Sequence, residues 1–289
     1  MDNNKKISRN IPTNVRRKLR QEVNFGCPVE NCGSPFLSYH HFDPPWHIKN
    51  HHDPDGMIAL CLHHHKAADN GAYDTQQLKE LKLHPFLTNN DLLIGEISWK
   101  RNNILFDLGG NYFLGASQVY LRNKEKLIWI EFDKNGNIMI NFDLKSKDGD
   151  LVFSMRNNDW VLSTNIKDIE TPPAMKKVKF SDNEKGIRLE IEFKSHDAAS
   201  FIKDYSKIAS STLISNVLKL VKTKELIICK VRGKLMYPFY MHFKDGETNM
   251  KNLVGPFSVN GLFNLAEDCT MGYFDIANSL TVGDGSIIT

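Results

Sequence analysis

A chain of 289 residues is long for one domain and comfortable for two. Its hydrophobic fraction of 41% and aromatic fraction of 10% are ordinary for a globular protein, which excludes wholesale disorder. The formal net charge of +3 is too small to indicate a nucleic-acid partner by itself, so the distribution of charge along the chain has to be considered.

The first twenty residues form the most basic part of the chain. They carry seven lysine and arginine side chains against a single acidic residue, Asp2. We interpret residues 1–22 as a basic arm that contacts the phosphate backbone of DNA. The residues expected to make these contacts are Arg16, Arg17, Lys18 and Arg20. The alternative interpretation is a solvated tail that keeps the protein soluble.

Cysteine and histidine then occur at spacings typical of a zinc site. Four residues separate Cys27 from Cys32, and two residues separate Cys61 from His64. Zinc takes four tetrahedral ligands from thiolate and imidazole, and proteins supply them as two close pairs joined by a longer loop. The spacing therefore predicts a structural zinc bound by these four side chains. The histidines on either side of His64 remain alternative ligands, and three unrelated buried cysteines would be the rival interpretation.

A second group of potential ligands lies between and beside these pairs. Residues 39–42 are typical of a short strand, in which His40 and His41 point to opposite faces. His65 and Asp69 are four residues apart on a predicted helix and share one face. With His40 they would bind a catalytic divalent metal, Mg²⁺ or Mn²⁺, with Ni²⁺ or Zn²⁺ as alternatives. His41 would be the general base, since an unperturbed imidazole titrates near neutral pH; Asp69 as a plain surface charge remains an alternative.

The sequence changes character near residues 85–95 and then becomes rich in strands and tight turns. The dipeptides Asn135-Gly136 and Asp148-Gly149 separate apolar runs, which is a strong signal for β-hairpins. The predicted strands are 127–132, 138–144, 151–155, 187–193, 236–243 and 257–263. A helical spacing over 213–221 adjoins a strand-like run at 226–231, and the sequence alone leaves the border between them open. Residues 96–289 are therefore predicted to form a mainly antiparallel β domain, a sandwich or a strongly bent sheet, so that the fold class is α+β.

Cysteine usage and hydropathy indicate a compartment. Three of the five cysteines stand at metal-ligand spacing, whereas Cys229 and Cys269 stand alone in apolar stretches. This is thiol usage for a reducing compartment and not a disulfide framework. The N-terminus has no apolar signal-peptide segment, and no run approaches the about 18 apolar residues of a membrane span. We therefore expect a cytoplasmic protein without a membrane partner.

The Cys-x4-Cys pair, the His-His dipeptide and the later run Met-Ile-Ala-Leu-Cys-Leu-His-His-His together resemble the HNH endonuclease family, with its ββα-metal fold and zinc knot. The resemblance covers about residues 14–84, within a predicted nuclease domain 14–88, and the C-terminal domain is not recognised. By position, the resemblance implies that His41 is the general base. It also implies that His40, His65 and Asp69 are the ligands of the catalytic metal.

Two positions depart from the family pattern. Gly56 stands where the family has an asparagine that braces the loop behind the base, and His64 replaces one zinc cysteine. Which residue replaces the missing asparagine is left open by the sequence. The side chains available for this bracing are Asn50, His51, His52 and Asp53. One of these histidines could instead be a further metal ligand.

Two functions from different classes are compatible with these patterns. The first is a metal-dependent endonuclease that hydrolyses phosphodiester bonds, with double-stranded DNA as partner and a β domain for target choice, sensing or homo-oligomer assembly. Nucleases of this family with an added domain often act as prokaryotic restriction or anti-phage effectors, and the resemblance implies that role. The second is a non-catalytic, zinc-stapled nucleic-acid-binding module. Because a pure binder does not need His41, His65 and Asp69 together, the residue chemistry favours the enzyme.

Overall fold

The computed structural model describes residues 7–89, 91–101, 104–108, 111–114, 120–123, 125–146, 148–181, 188–207, 211–221, 226–235, 240–244, 247–251, 271–273, 281–283 and 286–288. These residues form both α-helices and largely antiparallel sheets, which confirms the predicted α+β class. The chain divides into two compact units. Unit 1 contains Met1–Gly95 and Leu162–Met175, and unit 2 contains Glu96–Val161 and Lys176–Thr289.

The elements are numbered in chain order. The helices are α1 (Thr13–Glu22), α2 (Leu62–Asp69), α3 (Thr75–Leu83), α4 (Ala198–Tyr205) and α5 (Ser211–Val221). The first ten strands are β1 (Leu37–His41), β2 (Met57–Cys61), β3 (Leu92–Glu96), β4 (Ile104–Leu108), β5 (Asn111–Leu114), β6 (Tyr120–Asn123), β7 (Glu125–Phe132), β8 (Ile138–Lys145), β9 (Leu151–Arg156) and β10 (Asp159–Ser163). The others are β11 (Asp168–Glu170), β12 (Lys177–Ser181), β13 (Arg188–His196), β14 (Leu226–Leu235), β15 (Tyr240–Lys244), β16 (Glu247–Lys251), β17 (Met271–Tyr273), β18 (Thr281–Gly283) and β19 (Ser286–Ile288).

A two-stranded hairpin followed directly by a helix forms the centre of unit 1. β1 and β2 pair antiparallel, with Leu37 opposite Cys61 and His41 opposite Met57. Every residue of β2 is buried, which explains its unbroken apolar run. Helix α2 begins at the next residue because the sulfur of Cys61 caps it by accepting a hydrogen bond from the backbone amide of His64. The strand with the His-His dipeptide therefore lies against the helix with the later histidines.

Helix α1 completes the core of this unit. Its Leu19, together with Val23 just after the helix, is fully buried in the same apolar cluster as Met57 and Leu60 of β2. From Thr13 onward, the residues interpreted as a basic arm are thus a core helix with a charged outer face. Residues 1–6, with two of the seven cations, lie outside the described part of the chain.

Residues 162–175 return from the second half of the chain to unit 1. The buried guanidinium group of Arg20 donates hydrogen bonds to both carboxylate oxygens of Asp168, each at 2.9 Å and across 148 positions of sequence. The hydroxyl group of Thr171 donates to the carbonyl oxygen of Pro35. Unit 1 is therefore built from two separate stretches of chain, the second of which neutralises a buried charge of the first.

Unit 2 contains both hairpins predicted from glycine-containing dipeptides. β7 pairs with β8, with Phe132 opposite Ile138, and β8 pairs in turn with β9. Gly136 and Gly149 of the two turns have φ values of +74° and +94°, a conformation that glycine adopts without strain. These turns are confirmed, and the strands β6 to β10 follow one another in the order β10-β9-β8-β7-β6.

A second sheet of unit 2 contains β12-β13-β14-β4-β5-β17 in that order, with β15 paired to β14 and β16 paired to β15. β14 and β4 are parallel, and the neighbouring pairs are antiparallel.

The border that the sequence left open lies between α5, which ends at Val221, and β14, which begins at Leu226. The strand predicted at 257–263, and Cys269, lie outside the described residues. Within the described part of the chain, no helix has the length and apolarity needed to cross a membrane.

Candidate metal centres and active site

Four soft donor atoms converge where the turn after Cys27 meets the start of α2. The sulfurs of Cys27 and Cys61 lie 3.2 and 3.3 Å from Nδ1 of His64, and the sulfur of Cys32 lies 3.9 Å from that of Cys61. Tetrahedral zinc, with bonds of about 2.3 Å to sulfur and about 2.0–2.1 Å to nitrogen, separates two sulfurs by about 3.8 Å and sulfur from nitrogen by about 3.6 Å. The observed separations agree within a few tenths of an ångström. This set, which we call the cysteine site, can therefore hold a metal such as zinc.

Local backbone geometry explains how the cysteine site is assembled. Gly33 has a φ of +58°, and its amide donates to the carbonyl oxygen of Cys27, which closes the turn between the first two sulfurs. Burial, together with the neighbouring thiols, raises the pKa of Cys27 and of Cys32. A divalent cation favours the thiolate form, so metal binding here is coupled to release of thiol protons.

A second set of donors, His40, His65 and Asp69, forms what we call the histidine–aspartate site. Nδ1 of His40 lies 3.1 Å and Nε2 of His65 lies 3.7 Å from the same oxygen, Oδ1 of Asp69. The three donors lie within 4.8 Å of one another, while half of the Asp69 side chain is exposed. Imidazole and carboxylate ligands suit divalent metals such as Mn²⁺ or Zn²⁺, and the exposed side leaves access for water and a substrate oxygen.

The two imidazoles of the histidine–aspartate site favour their neutral forms. Burial lowers the pKa of His40, and the neighbouring His65 lowers it further, while Asp69 partly offsets both effects. Burial also lowers the pKa of His65 against the opposing influence of Asp69. A neutral imidazole is the form that binds a metal, so the lowered pKa values favour both side chains as ligands.

The contacts of His41 separate it from its neighbour His40. Its Nε2 lies 3.0 Å from the carbonyl oxygen of His51, and its ring centroid lies 4.8 Å from that of Trp46. Because a carbonyl group only accepts, Nε2 carries the proton and Nδ1 keeps a free lone pair. Burial, with the nearby His51, lowers the pKa of His41 to about 4. The expectation of an unperturbed imidazole is therefore wrong, and the neutral ring prevails at neutral pH.

His51 fills the space behind this histidine. Its Nε2 donates to the carbonyl oxygen of Pro44 at 2.9 Å, and its Nδ1 accepts from the amide of Asp53 at 3.1 Å. A β-carbon on Gly56 would lie 1.9 Å from the carbonyl oxygen of Asp43 and 2.9 Å from the imidazole of His51. No side chain fits at Gly56, because the carbonyl group of Asp43 and the imidazole of His51 occupy the space beside it.

The other three side chains considered for bracing the loop behind His41 have different contacts, and that of Asp53 accepts a hydrogen bond from the amide of Asp55 at 3.1 Å. Asn50 donates to the carbonyl oxygen of Trp46 at 2.9 Å and closes the loop that carries the tryptophan. His52 donates from Nε2 to the carbonyl oxygen of Ser8 at 2.8 Å, and its ring stacks on Trp46 with centroids 5.4 Å apart. None of them belongs to one of the two donor sets, so they shape the loop around the site.

The structure corrects the predicted DNA contact at Arg20. Only 4% of this side chain is exposed, and besides Asp168 it contacts the hydroxyl group of Tyr39 at 2.6 Å. A guanidinium group that is buried and fully used in this way is not available to a phosphate. Arg20 is therefore a structural residue that ties helix α1 to the strand carrying His40.

The remaining predicted contacts on α1 already have local partners, and Arg16 donates a hydrogen bond to the hydroxyl group of Thr13 at 3.2 Å. Arg17 lies 3.0 Å from Asp168 with 45% of its side chain exposed. Lys18 lies 3.8 Å from Glu22 and 3.5 Å from Asp55. Because neighbouring acids offset these cations, their net attraction for a phosphate is smaller than the count of basic residues implies.

One further residue of the site, Ser38, was missed by reasoning from the sequence. Its hydroxyl oxygen lies 2.6 Å from Nδ1 of His65. The signal that could have found it is strand alternation, since Ser38 stands two residues before His40 and shares its face of β1.

Comparison with family models, with curated proteins and with solved structures gives no match to this chain. Any functional assignment is therefore argued from the geometry of the two donor sets and from the residue pattern.

Proposed function

We propose that this chain is a metal-dependent endonuclease of the HNH type that hydrolyses phosphodiester bonds in DNA. A single observation carries the proposal: one hairpin and helix, together with the turn at Cys27 and Cys32, present a closed Cys₃His donor set beside an open His₂Asp set. A separate imidazole, His41, projects from the strand that supplies His40. A hairpin–helix unit stapled by zinc is the ββα-metal arrangement that the resemblance implies, and this local architecture supports it.

Each residue has a defined part in the proposed reaction. Nδ1 of His40, Nε2 of His65 and the carboxylate of Asp69 would hold the divalent metal. When bound, this metal supplies Lewis-acid stabilisation of the phosphate and leaving oxygens. Nδ1 of His41 takes the proton of the attacking water, while the carbonyl group of His51 fixes the ring through Nε2–H.

The charge distribution of unit 1 supports an enzyme over a pure binding module. A module that only binds nucleic acid depends on free cations for most of its affinity. Of the four cations expected to serve this purpose, Arg20 is buried and both Arg17 and Lys18 have acidic partners. In both donor sets, by contrast, the ligand atoms lie within 4.8 Å of one another. In this proposal unit 2 serves target choice, sensing or assembly.

Incubation of the full-length protein with supercoiled plasmid DNA tests the proposal. We expect nicked or linear product with Mg²⁺ or Mn²⁺ and none with EDTA. The His41→Ala variant should cut about 10²–10⁴ times more slowly without a change in DNA affinity, because only the proton acceptor is lost. His47→Ala, at an exposed position of the neighbouring loop, is the matched control and should cut normally. Intact plasmid under all metal conditions, or full activity of His41→Ala, would contradict the proposed mechanism.

A further inference from the structure

The hydroxyl group of Ser38 connects all three elements around the histidine–aspartate site. Ser38 lies on β1 directly opposite Leu60 of β2 in the strand register. Its Oγ donates to the carbonyl oxygen of Leu60 at 3.1 Å and lies 2.6 Å from Nδ1 of His65 on α2. One half-buried serine thus links the helix that supplies a metal ligand to the hairpin that supplies another.

These two contacts constrain where the protons are. Because a carbonyl group only accepts, both contacts are hydrogen bonds at the same time only when the single hydroxyl proton of Ser38 points to Leu60. The oxygen of Ser38 can then only accept from His65, and Nδ1 of His65 must carry a hydrogen. A neutral imidazole has one N–H group, so Nε2 of His65 keeps its lone pair, and Nε2 is the atom that lies 3.7 Å from Oδ1 of Asp69.

We propose that Ser38 is a positioning residue that selects the tautomer of His65 and thereby presents Nε2 as the metal-binding nitrogen. Serine does this without contacting the metal, in the way that outer hydrogen-bond partners orient ligand imidazoles in metal sites. The inference rests on the proposed function in one respect only, namely that the histidine–aspartate site binds a divalent cation. It does not depend on which substrate is cut.

The hydrogen-bond chain also connects the elements that carry the different ligands. His40 is on β1, whereas His65 and Asp69 are on α2. Without the serine hydroxyl group, the ring of His65 could rotate or place its proton on Nε2, and the proton would then occupy the position where the metal must bind. Metal binding would have to displace that proton and reorder the ring, which lowers affinity.

The affinity of full-length protein for Mn²⁺ tests this role, because Mn²⁺ prefers nitrogen and oxygen ligands and leaves a thiolate zinc site in place. We expect Ser38→Ala to bind Mn²⁺ about 10–100 times more weakly, the usual cost of losing such a partner. Its content of tightly bound zinc should not change. Ser38→Thr keeps the hydroxyl group and should bind nearly as wild type does. Mn²⁺ affinity of Ser38→Ala equal to that of the wild type would overturn the inference.

Nitrogen-15 shifts of the His65 ring give a second readout that does not involve catalysis. Before Mn²⁺ is added, the wild-type protein should show His65 in the Nδ1–H form, and Ser38→Ala should gain the Nε2–H form. An Nε2–H form in the wild type would overturn the inference without any variant. If tautomer and Mn²⁺ affinity both follow Ser38 while plasmid stays intact, the inference stands and the nuclease proposal fails. A wild-type protein that binds no Mn²⁺ overturns the inference as well.

Discussion

The two donor sets of unit 1 share one hairpin and one helix but differ in closure. All four donors of the cysteine site come from the protein, and Cys27 and Cys61 are buried. The histidine–aspartate site has three donors and a carboxylate that is half exposed. Structural zinc sites are closed, whereas catalytic sites keep a position for water or substrate. In our proposal, closure, and not the mere proximity of ligands, distinguishes the site that stabilises the fold from the site that carries the reaction.

Adjacent residues of α2 belong to different sets. His64 faces the sulfurs of Cys27 and Cys61, and His65 faces His40. Successive residues of an α-helix point about 100° apart, so one helical turn can serve two sites at once. His64 and His65 point to different sites, so we expect that a substitution in one site leaves the metal of the other site in place.

The largest effect is expected at the cysteine site. Cys27→Ser should lose its zinc and destabilise unit 1, since apparent binding energies of structural zinc reach about 10–16 kcal/mol in small zinc modules. Elemental analysis and thermal unfolding measure both effects. His63→Ala alters an exposed neighbour outside the cluster and should retain zinc. A stable Cys27→Ser protein with full zinc content would show that the cysteine site is misassigned.

The second expected effect is on rate. His65→Ala should abolish metal-stimulated plasmid cleavage, because Lewis-acid stabilisation is worth several kcal/mol of transition-state energy. Its zinc content and unfolding temperature should stay close to those of the wild type. His63→Ala is again the control and should cut normally. Loss of zinc from His65→Ala would mean that the two sites are not independent.

A smaller effect is expected where the second stretch of chain supports unit 1. Asp168→Asn leaves the buried guanidinium group of Arg20 without its carboxylate, a change that typically costs about 3–5 kcal/mol. Asp55→Asn removes an exposed partner of Lys18 and should cost no more than about 1 kcal/mol. Denaturant unfolding gives both free energies. Equal values for the two variants would indicate that Asp168 is not needed to neutralise Arg20.

The smallest effect is expected on the outer face of α1. Replacing Arg16, Arg17 and Lys18 together by glutamine should weaken DNA binding equally on all sequences. The slope of the logarithm of the binding constant against the logarithm of the salt concentration should become shallower by less than about 2.7, the value for three phosphate contacts at about 0.9 each. The reason is that two of the three cations already pair with acids. Binding measured at several salt concentrations gives the slope, and a drop of the full amount would show that DNA displaces these acids.

Parts of the site could be predicted because they depend on short-range geometry. The spacing of Cys27 and Cys32, the helical interval between His65 and Asp69, and strand alternation at His41 each follow from local chain periodicity. The two hairpins of unit 2 follow from turn chemistry in the same way.

Other parts could not be predicted because they depend on contacts between distant segments. No residue near Arg20 in the sequence indicates that its partner is Asp168. Because Arg20 is buried, it stabilises the fold and does not make the DNA contact expected from its charge. The pKa of His41 depends on burial and on the position of His51, and the spacing of the residues in the sequence predicts neither. Ser38 acquires its role only once the strand register and helix position are known.

We propose that one metal holds the fold and that a different metal performs the chemistry. Metal content and plasmid cleavage measured on the same full-length sample, before and after dialysis against a mild chelator, test it directly. We expect that one zinc per chain is retained after dialysis and that cleavage is lost. Addition of Mg²⁺ or Mn²⁺ should restore cleavage with the zinc content unchanged. Folded protein without zinc, or cleavage that persists in the dialysed sample under chelator, would contradict it.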